Sequence, residues 1–312
     1  MLPAALKTLP KGILLDTQVT LLIHPEQNPT DYVPFEHADT HPFQPAVTGM
    51  SRVNAWWLAD ASWLAYLHSE AEVRRHAQGA GLDGRLVEVK ETQFCMVSDQ
   101  EFAIVAFRGT QPNDWKDIFD DARYVPVGWP HGHVHNGFAA ALNEAWSALE
   151  DSLRRLPHGA RVWFTGHSLG AALATLAADR FTGTAGVYTF GSPRVGDQMF
   201  AGHFNARFNQ RSFRYVNDHD VVTHVPPEPL ALPLGLYTHV NDRRWIDKDG
   251  NIGSIPPTLL HFVPDVLGSP VVMLDLIESL KSGNLRTLPA ALSDHTQLYY
   301  TLHAWNDFVK NG

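Results

Sequence analysis

The sequence predicts an α/β fold: a mostly parallel central sheet with helices on both faces. Three observations predict it. Strand-length apolar runs alternate with longer stretches of helical period, the pattern of βαβ units. Hydrophobic residues make up 44% and charged residues 18% of 312 residues, enough for one large core. Finally, Val162-Trp163-Phe164-Thr165 runs into Gly166-His167-Ser168-Leu169-Gly170 and then an Ala/Leu-rich stretch, 171–177. That is a strand, a tight turn and a helix in immediate succession.

Residues 1–48 are rich in Pro, Thr and His, with one strand-like run at 18–24. They read as an arm packed on a single domain, 49–312. Residues 51–76 are read as one helix, with Trp56, Ala59, Trp63, Tyr66 and Leu67 on its apolar face. The runs 86–97 and 101–107 alternate like a hairpin around Ser98-Asp99-Gln100. A helix over 139–156 ends at Pro157, and strands follow at 161–165, 185–190 and 212–216, with a helix near 197–208. The segment 245–255 reads as a hairpin around Asp249-Gly250. Its faint likeness to a calcium loop fails, because the glycine is misplaced and no glutamate closes it.

The net charge of −9 and the absence of a Lys/Arg run argue against nucleic acid and anionic membrane surfaces. The apolar region 255–280 contains four prolines and two aspartates, so no integral membrane segment is expected. The single cysteine, Cys95, reads as a buried structural thiol. Without a recognisable signal peptide, the cytoplasm is slightly favoured over export by another route, and a bacterial source is expected.

The 166–170 turn is the nucleophile elbow of an α/β-hydrolase fold. Side chains at −2 and +2 would collide in so tight a turn. It lifts Ser168 Oγ clear of the backbone, exposed toward substrate, while the helix behind it aims N–H groups at developing negative charge. Serine needs a base, and the base needs an orienter. Acidic candidates crowd at Asn217-Asp218-His219-Asp220, at the carboxyl end of a strand, where such acids belong. The late histidines are His239, His261, His295 and His303; His295 stands just ahead of a last aromatic helix. Asp218 is the alternative acid, or else a turn-former. His303 reads as a helix surface residue, Arg108 as a structural ion-pair partner, and His167 as packed under the elbow. His131, His133 and His135 could face a metal from a strand, but no acidic partner is evident, so no metal is expected.

Five ordered motifs carry a resemblance. They are Phe107-Arg108-Gly109-Thr110, Val134-His135-Asn136-Gly137-Phe138, the elbow, Tyr188 through Gly196 (YTFGSPRVG), and 217–227. Over about 50–308 the chain resembles the class 3, fungal-type triacylglycerol lipases. The resemblance implies a triad of Ser168, Asp220 and His295, with Asp220 rather than Asp218 as the acid. It implies an oxyanion hole from Thr110, through its N–H and hydroxyl, and the Leu169 N–H. Each such donor is worth roughly 3 kcal/mol by analogy with known holes. It implies no metal or organic cofactor, and a lipid or ester substrate at an oil–water interface. Thr223 stands where the family often has proline. The 75-residue step from Asp220 to His295 implies an insertion, 251–293.

After Thr110, Asn113 can cap a helix in which Trp115, Ile118, Phe119 and Ala122 share one face opposite four aspartates. In the family the lid occupies this place, here 111–130. An amphipathic helix that covers the serine in water and turns to lipid would be an interfacial switch; a permanently packed helix is the plainer reading. Within the insertion, Val272, Met273, Leu276, Ile277 and Leu280 form a second stripe, a cap or simply core. The expected activity is that of an acylglycerol lipase. The rivals are a short-chain or feruloyl-type esterase, a phospholipase A1, and a non-catalytic binding protein, which the intact triad disfavours.

Overall fold

Cross-strand pairing makes this a sheet protein with a parallel centre. The computed structural model describes residues 32–109, 125–217, 220–226, 237–253 and 294–312. Within them the elements run α1 (Arg52–Leu64), α2 (Glu70–Gly79), β1 (Asp83–Val89), β2 (Thr92–Ser98) and β3 (Phe102–Phe107). Then come β4 (Pro126–Trp129), β5 (Gly132–His135), α3 (Asn136–Arg154), β6 (Arg161–His167), α4 (Leu169–Arg180) and β7 (Thr184–Phe190). The last are α5 (Gln198–Arg207), β8 (Ser212–Asn217), a 3₁₀ turn (Val221–His224), β9 (Asp242–Ile246), β10 (Ile252–Gly253) and α6 (Gln297–Asn311).

The main sheet has the order β1-β2-β3-β6-β7-β8-β9-β10. Strands β3, β6, β7, β8 and β9 pair in parallel, and the pairs at both edges are antiparallel. Alternation along each strand separates two cores. Cys95, Ile104, Trp163, Tyr188, Phe190 and Tyr215 face α1, α6 and the 32–48 segment. Phe94, Val105, Phe107, Phe164 and Val187 face α3, α4 and α5 from the other side. The parallel centre puts the carboxyl ends of β6, β7 and β8 side by side, where ligands meet such sheets.

Several elements differ from their sequence reading. The single helix over 51–76 is two. Ser51 caps α1, whose helix is buried nearly all round. Ser69 caps α2, which buries only Val73 and Ala77. The chain turns between them because the two stretches serve different surfaces, which a continuing 3.6 period conceals. The run 86–97 is likewise two strands. Val89 pairs with Thr92 across a Lys90-Glu91 turn, with Lys90 at φ 52°. The lid limits of 111–130 run too far, because Val127 and Gly128 already pair with Val134 and His133 in a β-hairpin. The insertion limit of 251 starts too early, because Ile252 pairs with Ile246. The hairpin expected at 245–255 has a plain turn where it is described, at 247–251, in which the Asp247 carboxylate accepts from Asp249 N and Asn251 N.

The described part of the arm packs on α1. Tyr32 OH donates to Asp60 Oδ1 at 2.5 Å and Phe35 N to Asp60 Oδ2 at 2.7 Å. Phe43 meets Trp163 edge-on at 5.4 Å. Cys95 is buried and donates to Ala61 O; burial pushes its thiol up to about 12. Residues 1–31, the lid helix and the 272–280 stripe lie outside the described residues. Among the described residues, no helix is long and apolar enough to cross a membrane.

Buried histidines give the fold a pH dependence, His135 and His303 among them. Burial lowers His135 and His303 each to about 4. His135 caps α3 by accepting from Gly137 N at 3.1 Å, which its protonated ring could not do. Both are neutral in either state above pH 6.5. Below it the unfolded chain takes up protons that the folded chain refuses, so stability falls from about pH 6.5 to about pH 4. The loss is at most about 3 kcal/mol for each histidine. Denaturant unfolding at pH 7, 5.5 and 4 measures it. His135→Asn, which keeps a capping acceptor, should flatten the slope; an unchanged slope counts against this origin.

Candidate active site

At the end of β6 the backbone turns so sharply that Ser168 adopts φ 58°, ψ −130°, a region costly for any residue with a Cβ. The flanking glycines are steric necessities. A Cβ on Gly166 would collide with Gly170 O, and one on Gly170 with Phe107 O. Ser168 N donates to Phe190 O at 3.0 Å, tying the elbow to β7. Contrary to the exposed serine expected, Ser168 is 1% exposed, packed in the tight turn at the carboxyl end of β6. Its Oγ has no hydrogen-bond partner among the described residues, whereas His295 is expected within about 2.6–3.2 Å of it, or slightly further without ligand. Catalytic hydrogen bonds often tighten only once substrate arrives. Leu169 opens α4, where its N–H has no acceptor within the helix.

Asp220 follows β8 and caps the 3₁₀ turn by accepting from Val222 N at 2.9 Å. His295 precedes α6, and its Nδ1 lies 2.8 Å from both Asp220 oxygens. Both side chains are fully buried. A carboxylate only accepts, so a hydrogen sits on Nδ1, and in the neutral ring the lone pair is on Nε2. Tyr300 OH donates to Asp220 Oδ2 at 2.6 Å and accepts from Asn217 N at 2.9 Å. Burial first, then the Asp220 charge, pushes the Tyr300 phenol well above its usual range, so it stays a donor. Asn217 Nδ2 holds Asp294 O at 2.9 Å, and Thr223 Oγ1 holds Asp220 O at 2.7 Å. Thr223 thus braces the acid's own loop.

The sequence candidates separate clearly. Ser168, Leu169, Asp220 and His295 gather at one end of the sheet. Thr110, Trp115, Ile118, Phe119, Asp218 and His261 lie outside the described residues. His239 Nε2 donates to Thr223 O. His303 is buried, not a surface residue, because the Asp247–Asn251 turn covers it. Arg108 bonds Gln93 Oε1 at 2.8 Å, a neutral amide rather than the ion-pair partner expected. His133 does have an acidic neighbour, Asp197, at 3.0 Å. His131, however, stacks on His203 and His135 caps α3, so the three rings serve different partners. Sequence reasoning missed Tyr300 and Gly191. Gly191 has φ 58°, and a Cβ there would come within 2.8 Å of Asp220 Oδ2 and 2.9 Å of His295 Cε1. Its signal was present in the YTFGSPRVG motif.

A strained serine between strand and helix, with a buried His–Asp pair contributed from beyond β8 and from just before α6, belongs to the α/β-hydrolase fold. Solved structures agree on that fold. A Rhizomucor miehei triacylglyceride lipase superposes with TM-score 0.51 at 22% identity, over 70% of this chain and 92% of that one. Lipase II from Rhizopus niveus gives 0.50 at 23%, over 64% and 83%. Residues 104–230, from β3 through the Asp220 loop, match the family "Lipase (class 3)". A lipase of Rhizomucor miehei is 33% identical over 46% of this chain and 41% of its own length. A secreted mono- and diacylglycerol lipase of Malassezia globosa is 31% identical over 46% and 51%. A triacylglycerol lipase of Arabidopsis thaliana is 30% identical over 59% and 46%. The chain thus spans about half the length of these curated relatives. They are fungal and plant proteins, which corrects the expectation of a bacterial source.

Proposed function

We propose that this protein is a serine hydrolase of carboxylic esters, acting on acylglycerols. Ser168 attacks the ester carbonyl as His295 Nε2 takes its proton. Asp220 holds the Nδ1–H tautomer and stabilises the imidazolium. The N–H groups of Leu169 and Thr110, with the Thr110 hydroxyl, receive the oxyanion. His295 then gives its proton to the departing alcohol, and water hydrolyses the acyl-enzyme by the same steps in reverse. The observation that carries this reading is the bond from His295 Nδ1 to Asp220 beside a serine held in an elbow. An active-site serine phosphonate should label Ser168 stoichiometrically. Labelling elsewhere, or none, would overturn it.

Acylglycerols are favoured over other esters by the relatives' names and by the amphipathic stretch 113–122. Its apolar face of Trp115, Ile118 and Phe119 has two ways to be satisfied, against the pocket mouth or against lipid. Ile118→Ser with Phe119→Ser should therefore lower activity on emulsified long-chain esters about tenfold or more, and leave dissolved short-chain esters nearly unaffected. A permanently packed helix predicts instead a stability loss of about 2–5 kcal/mol per side chain, with both activities falling together. That outcome would favour a plain esterase. The relatives named as secreted favour export over the cytoplasm; fractionation of the native cells tests this.

A further inference from the structure

The residue before the nucleophile has a job that the triad leaves unassigned. Resting on the reading above, we propose that His167 is a positioning residue, holding the backbone of the base in register with the serine through a Tyr66–His167–His295 relay. His167 Nε2 lies 2.6 Å from the His295 carbonyl oxygen. A carbonyl only accepts, so Nε2 carries the hydrogen and Nδ1 is bare. Tyr66 OH, 2.7 Å away, therefore donates to Nδ1. Burial, and then the neighbouring His295, lowers His167 well below the usual histidine range, which keeps this neutral tautomer.

The relay spans the machinery at short range. Nucleophile and base are linked by one hydrogen bond from the residue adjoining the serine, so any drift of the 294–296 loop pulls on the elbow itself. The ring also packs 4.4 Å from the His295 ring and 5.7 Å from Tyr300. At the far end, a Cβ on Gly109 would collide with Tyr66 OH and would come within 2.8 Å of His167 O and 3.1 Å of Ser168 Cβ. Tyr66 thus leans on the residue just before the proposed oxyanion donor Thr110. Imidazole suits this place because it donates on one side and accepts on the other along one rigid plane. An aliphatic side chain would leave the Tyr66 hydroxyl and the His295 carbonyl buried without each other's intermediary.

The test uses two amides. Glutamine places its N–H₂ near the Nε2 position and can still hold the His295 carbonyl; asparagine reaches only the Nδ1 position. With a dissolved short-chain ester, His167→Asn should lower kcat by about 10²-fold and leave KM within about twofold, as misplacement of about an ångström does. His167→Gln should recover most of that loss. Tyr66→Phe, which keeps the ring and the fold, should lower kcat severalfold with KM again unchanged. Wild-type kcat in His167→Asn and Tyr66→Phe, or equal losses in the two amide variants, would overturn the proposal. The downfield proton resonance of His295 Nδ1–H reads the tether without turnover. It should shift and broaden in His167→Asn and return in His167→Gln; no change in either variant overturns the relay. Retained hydrolysis in Ser168→Ala would instead remove the triad reading, and leaves that resonance as a separate test.

Discussion

Ser168→Ala is expected to lower kcat on any ester by a factor on the order of 10⁶ while the protein folds normally. The remaining rate comes from the oxyanion donors and binding alone. Stability should not fall. Ser168 Oγ is buried without a hydrogen-bond partner among the described residues, so alanine removes a polar group that the fold does not use. Ser168→Gly should go further. The φ of 58° strains any residue with a Cβ, and glycine relieves it, for a gain of about 1 kcal/mol over alanine. Activity assays beside thermal unfolding read both effects. A Ser168→Ala protein retaining about 1% of activity or more would show that another nucleophile operates.

The strain at Ser168 is also why the elbow was legible in the sequence. Gly166 and Gly170 are fixed by collisions with backbone atoms, so steric necessity writes itself into residue types at fixed spacing. The proposed acid and base were narrowed by similar logic, since Asp220 after β8 and His295 before α6 come to one end of a parallel sheet. What stayed hidden has a different origin. Tyr300 looks like any aromatic on a core-facing helix, and only the packing of α6 against β8 shows that its hydroxyl meets Asp220. His303 sits on the same helix, and only the 247–251 turn buries it. The break between α1 and α2 follows the same rule. The hydrophobic period continues across 65–69, but all of α1 is sunk beneath the sheet while α2 rides at the surface. Local patterns record what the backbone demands of its own residues; they do not record which distant surface a side chain will meet.

Asp220→Asn tests the least local part of the site. The Asp220 carboxylate accepts from His295 Nδ1, Tyr300 OH and Val222 N. Each of those groups is a donor, and carboxylate oxygens satisfy them all without rearrangement. An asparagine amide puts a donor where an acceptor is needed. With its N–H₂ turned to the ring, the amide meets a bare Nδ1, which moves the ring hydrogen to Nε2. In that tautomer the face toward Ser168 cannot take a proton, and kcat should fall by about 10⁴-fold with KM little changed. The asparagine is nearly isosteric, so the fold should survive. Asp220→Ala should be destabilised as well, by about 1–3 kcal/mol for each buried donor left unpaired. Tyr300→Phe removes a single donor from a carboxylate that keeps the others, and should cost no more than about tenfold. Asp218→Asn is the decisive control. With Asp220 engaged as it is, Asp218→Asn should turn over esters at near the parent rate. An inactive Asp218→Asn beside an active Asp220→Asn would transfer the acid's role to Asp218 and break the link from Asp220 through His295 to the serine.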